Sequence, residues 1–151
     1  MRDSSRHADG VAHRLLRYCW TSPATTVGLL LSVPAWSLGA RGRVVDGVLE
    51  VGGGHLHGLV ARLPRAMQFA AITFGHVIIG VDHNVLARLR SHEHVHVRQY
   101  ERWGILFFVL YAGSSLLALM RGQHPYWHNH FEREAYRVAA QPEAAAQSGM
   151  S

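Results

Sequence analysis

The 151-residue chain has no lysine and a single cysteine. All fifteen basic residues are arginine, and with abundant alanine, glycine and valine this matches the coding bias of a GC-rich bacterial genome. The high isoelectric point therefore says little about partners. The arginines stand singly, with no run of five or six like charges and no basic stripe interleaved with aromatics, which argues against a nucleic-acid partner. Cys19 alone excludes an intramolecular disulfide and any cysteine-built zinc site. Long clean apolar runs are also lacking: residues 23–40 and 105–120 are both short for a bilayer crossing. The length suits one domain with a modest core.

Histidine, in contrast, is abundant, with twelve in the chain and seven of them between His76 and His128. Such an excess points to metal, with buffering surface imidazoles as the plain alternative. Residues 1–22 form a polar, basic N-terminal segment, and residues 139–151 are expected to be a disordered polar tail. The uncharged segment 23–40, broken by Pro34, has three readings: a membrane anchor helix, a cleaved signal segment, or a buried helix of the domain. Asp46-Gly47 between Val44-Val45 and Val48-Leu49 predicts a tight β-hairpin, because both turn positions require positive φ. A further β segment is expected over Phe69–Val81, and a helix from about Asn84 to Gly104. Residues 105–120 read as an uncharged helix, followed by a loop broken at Pro125 and a last helix starting near Asn129.

The segment Ser91-His92-Glu93-His94-Val95-His96 contains HExxH. Four-residue spacing on a helix places His92 and His96 on one face, where two imidazole nitrogens can hold one Zn²⁺. Glu93 then stands beside the open metal position and can take a proton from water activated there. His94 lies about 200° round the helix and is a poor ligand. Gln99 and Arg102 stand where a metzincin requires glycine and histidine, so that class is excluded.

A third ligand can come from Phe131-Glu132-Arg133-Glu134-Ala135-Tyr136. HExxH, a glutamine three residues on, an apolar helix and then F-E-x-x-A resembles the gluzincin zinc metallopeptidases, in particular the membrane-associated HtpX-like bacterial enzymes. The resemblance implies that Glu132 completes the metal site with His92 and His96, with Glu134 the alternative, and that Ala135 allows close helix packing. Tyr136 stands where those enzymes carry a supporting aspartate, so Gln99 or Glu134 is left to provide that hydrogen bond. The resemblance also implies an edge strand above the metal that pairs with extended substrate, a part open to Phe69–Ile79 with Gly75 allowing close approach. An ordinary core strand is the equal alternative. His76 is read as structural. Transition-state donors are sought in the loop at Tyr126 and His128, with His124 and His130 beside them.

A shared metal constrains topology. If residues 105–120 crossed a bilayer once, Glu132 would lie on the far side from His92 and His96. That segment is therefore expected to be a core or membrane-surface helix. The resulting expectation is an α+β mini-zincin over residues 41–138, with a small β-sheet, an HExxH helix, a long apolar helix and a C-terminal Glu-bearing helix. It would sit on one side of a bacterial membrane, either side, with an N-terminal anchor. Its expected function is zinc-dependent hydrolysis of peptide bonds in a peptide or protein substrate. The alternatives are a catalytically inactive metal-binding protein and a structural membrane-associated one.

Overall fold

The computed structural model describes the backbone of residues 3–65 and 68–148, and side chains over 15–65 and 68–141. The fold is α+β, with five helices around a four-stranded mixed sheet. Helix α1 spans Asp3–Ser37 and continues through both Pro23 and Pro34. Pro23 has no N–H for the Cys19 carbonyl, and the Ser22 hydroxyl takes that acceptor at 2.7 Å. The helix thus runs through the boundary expected at residue 22. Residues 1 and 2 of the N-terminal segment lie outside the described residues.

Only a narrow stripe of the 21–37 part of α1 is buried: Thr21, Ala24, Gly28, Ser32 and Ala35, spaced three or four apart. Gly28 meets the sheet so closely that an added Cβ would lie 2.7 Å from Cβ of Val77. Along this stripe α1 is part of the domain. Among the described residues no single helix is long and apolar enough to cross a membrane.

Strands β1 (Arg41–Val45) and β2 (Val48–Gly52) form the expected antiparallel hairpin, with Asp46 at φ 50° and Gly47 at φ 80°. A short helix, α2 (Leu56–Ala61), follows. The segment 69–81 holds two strands rather than one, β3 (Ala71–Phe74) and β4 (Val77–Gly80), paired antiparallel. They turn at Gly75, whose φ of 59° suits glycine, and Thr25 packs so closely there that a side chain would collide. Parallel pairing of β4 with β2 completes the order β1-β2-β4-β3 and leaves β3 at an edge.

Helix α3 (His83–Trp103) is capped by Asp82, whose carboxylate accepts from Val85 N at 2.8 Å, two residues before the expected Asn84. It ends at Gly104 (φ 57°), and α4 (Leu106–Met120) leaves at 116° to it. The fully buried Glu50 on β2 accepts from Arg43 (2.8 Å) and Arg90 (2.7 and 3.1 Å), tying the sheet to α3. Buried Asn129 donates to Tyr111 O and Ser115 Oγ and accepts from Phe131 N, fixing the start of α5 (His130–Ser148) against α4. Helix α5 continues through residues 139–148, where a disordered tail is expected; residues 149–151 lie outside the described residues.

Candidate metal centre

Two helices bring the expected ligands together. His92 and His96 lie one turn apart on the buried face of α3, and Glu132 faces them from the first turn of α5. Ala135, one turn further on, is fully buried and allows the two helices to approach. The Nε2 atoms of His92 and His96 are 3.2 Å apart. Glu132 lies 3.2 Å from His92 Nε2 through Oε2 and 3.4 Å from His96 Nε2 through Oε1. Ligands about 2.0–2.2 Å from one tetrahedral metal ion are separated by about 3.3–3.5 Å, so these spacings suit a shared cation. Oε2 is buried yet has no hydrogen-bond partner, although His92 stands at ion-pair distance. A buried carboxylate oxygen in that position is expected to be satisfied by an ion.

The surroundings act unequally on Glu132, Glu93 and His96. Burial would push the Glu132 carboxyl up, but His92, His96 and the Tyr111 hydroxyl hold it well below the usual carboxylate range. Burial pushes Glu93 up and outweighs the opposite pull of His96, Thr73 and His92. Against its own burial, His96 is raised by Glu132. Two carboxylates in one site are thereby separated in character: Glu132 favours the charged form and Glu93 holds a proton more readily.

Gln99 lies behind His96. Its Oε1 meets His96 Nδ1 at 2.8 Å, while Nε2 donates to Phe131 O (3.2 Å) and to Glu134 (2.9 Å). Glu134 therefore holds Gln99, and Glu132 is the acid in the cluster. Nothing equivalent serves His92, whose buried Nδ1 has no hydrogen-bond partner. Where the resemblance calls for an aspartate, Tyr136 packs its ring on His92 at a centroid distance of 4.4 Å. Of the loop residues, Tyr126 is nearest the site, with its hydroxyl 3.1 Å from that of Tyr136. Burial, that hydrogen bond and the Glu132 charge all push the Tyr126 phenol up, so it remains a donor. His124 is turned to its own loop, accepting from Tyr126 N, and the His130 ring rests on Phe131. His128 is exposed.

Two further contacts had no motif to announce them. Thr73, on edge strand β3, donates to Glu93 Oε2 at 2.7 Å. Tyr111, on α4, donates to Glu132 Oε1 at 2.6 Å. Tyr111 is the one phenol in the apolar helix and is a polar group needing a partner, but its sequence position does not name that partner. His76 is structural, joined to Thr21 (2.9 Å) and Glu101 (3.2 Å) and stacked on Tyr18. Compared with family models, curated proteins and solved structures, the chain matches none, so its functional reading rests on the geometry of its own residues.

Proposed function

We infer that this chain is a zinc-dependent peptide hydrolase of gluzincin type, a mini-zincin in architecture. The observation that carries the reading is the closure of His92, His96 and Glu132 to within 3.2–3.4 Å, with Glu93 one residue from the first ligand. His92, His96 and Glu132 would hold the ion. Zinc bound there supplies a Lewis acid and lowers the pKa of a water at its open position towards neutrality.

The remaining steps belong to the chain. Thr73 occupies Oε2 of Glu93, so Oε1 is the oxygen that takes a proton from the attacking water and returns it to the leaving nitrogen. Gln99 fixes the His96 ring, and Tyr126, kept protonated, is the donor placed to meet a developing oxyanion. Strand β3 pairs with β4 on one side and carries Thr73, so an extended peptide added to its other edge would pass close to Glu93.

A second reading, a metal-binding protein without catalysis, is favoured by one observation: His92, Glu93, His96 and Glu132 are each less than 10% exposed. Metal content and cleavage separate the two. Purified protein is expected to take up one zinc per chain, with His96→Ala losing it. Glu93→Gln should keep the metal and lose cleavage of a denatured protein substrate. Below about 0.1 zinc per chain with no uptake on titration, the metal reading fails. Zinc uptake without cleavage by the natural chain favours the silent binder.

A further inference from the structure

Helix α4 turns all its polar side chains inward, beside the buried Phe107 and Ala118, and is apolar on the outside. Its domain-facing side carries every polar side chain it has, and each finds a partner there. Tyr111 binds Glu132, Ser115 accepts from Asn129, and Ser114 accepts from His130 N. The opposite side is Leu106, Val109, Leu110, Leu116, Leu117 and Met120, all exposed, with Val109 at 70% and Met120 at 77%. No charged residue occurs from Gly104 to Met120. A surface helix of a domain surrounded by water has the reverse arrangement, and an apolar face of this extent is rare on a monomer in solution.

What borders the face identifies what covers it. At the N-terminal end Arg102 lies with its guanidinium 5.2 Å from the Trp103 ring. Trp20 of α1 packs on Gly104, so closely that a Cβ there would lie 2.8 Å from the indole, and stays 54% exposed. At the C-terminal end stand exposed Arg121 and Trp127. Arginine with tryptophan at both ends of an uncharged face is the composition of a helix at the level of lipid headgroups. Fifteen residues span about 22 Å, too little for a hydrocarbon core of about 30 Å, and both ends carry a charge. Helix α1 independently shows the same inversion, with threonine, alanine, glycine and serine inward and Leu29, Leu30, Leu31 and Val33 outward.

We propose that the outward face of α4, with Trp20 at its corner, docks into the interface of an anionic lipid bilayer, the helix lying in the membrane plane. The apolar side chains enter the acyl boundary, and Arg102 and Arg121 meet the headgroups. This inference is independent of the metal site, since the face lies on the side of α4 away from Glu132.

The test is flotation of the full chain with vesicles of phosphatidylcholine containing about 30% phosphatidylglycerol. The natural chain is expected to float with them, less with pure phosphatidylcholine and less at high salt. The double variant Val109→Glu/Leu116→Glu, altered only at exposed positions, should lose at least tenfold in vesicle binding while keeping its circular dichroism and zinc uptake. Should that variant fold poorly, brominated acyl chains in vesicles carrying the natural protein give a second reading: its tryptophan fluorescence should be quenched. Flotation equal in variant and natural chain, or absent quenching, overturns the proposal. So does a natural chain that stays with the buffer as a dimer which the variant dissociates, since the face would then belong to a second copy.

Discussion

Tyr111 of the apolar helix donates its hydroxyl to Oε1 of Glu132 at 2.6 Å, the same oxygen that stands 3.4 Å from His96 Nε2. One hydrogen bond thus joins the apolar helix to the candidate metal centre. It also lies against Asn129, whose amide holds the Tyr111 carbonyl at 3.0 Å, so ligand orientation and helix packing share one contact region.

Tyr111→Phe removes that hydroxyl and little volume. Zinc affinity is expected to fall by about 10–100-fold, measured by chelator competition, because a ligand's orientation is lost with its hydrogen bond. Thermal unfolding of the metal-free form should move by no more than about 1 kcal/mol. Unchanged affinity would remove Tyr111 from the site.

His92 gives the opposite test. Its Nδ1 is buried without a partner, whereas Nδ1 of His96 has Gln99. Tyr136→Asp puts a carboxylate one turn beyond Glu132, where it can accept from Nδ1. Zinc should bind about tenfold more tightly in this variant by the same competition assay. Weaker binding would mean that ring packing by Tyr136, not the missing acceptor, governs His92.

Thr73→Val keeps shape and removes the donor to Glu93 Oε2. Turnover of a peptide substrate should fall by about tenfold with zinc content unchanged, since the base loses its orientation and the ligands do not. Thr73→Ser should restore most of the rate. A variant with full activity would show that Glu93 needs no such support.

Glu50 supplies a pH dependence remote from the metal. Burial opposes its ionisation, but hydrogen bonds from Arg90 and Arg43 prevail and hold its carboxyl below the ordinary 4.5. A lowered folded-state pKa gives stability that is present above the unfolded value and lost as pH falls through the folded one. The contribution of Glu50 to thermal stability should therefore be constant above about pH 5 and decline below 4.5. Glu50→Gln is expected to cost about 1–3 kcal/mol at neutral pH and to flatten the acid decline. An unchanged acid decline in the variant would assign it to other carboxylates.

The legible parts of the fold were those with a local rule. Asp46-Gly47 requires positive φ at both turn positions, and the hairpin is found there. His92 and His96 follow helical spacing, and Glu132 followed from the pattern around it. The segment 69–81 read as one strand because its β-branched residues run on without a familiar two-residue turn; only Gly75 marks the reversal. Thr73 and Tyr111 escaped notice because a cross-element hydrogen bond has no sequence period. The outward apolar face of α4 was hidden for another reason. An uncharged run reads the same whether protein or lipid surrounds it, and only the partners of Tyr111, Ser114 and Ser115 show which side faces in.

The distance along the chain between the ligands also bears on how the protein is made. His92 and His96 lie in the middle of α3, whereas Glu132 arrives 36 residues after His96, in the last helix. During synthesis the first two ligands emerge well before the third. In the proposed reading, a nascent chain offers the ion only a weak pair of imidazoles until α5 has left the ribosome and docked. Metal capture is then a report that the C-terminal helix is in place, and a chain cut short before Glu132 would fold without a means of acquiring the catalytic ion.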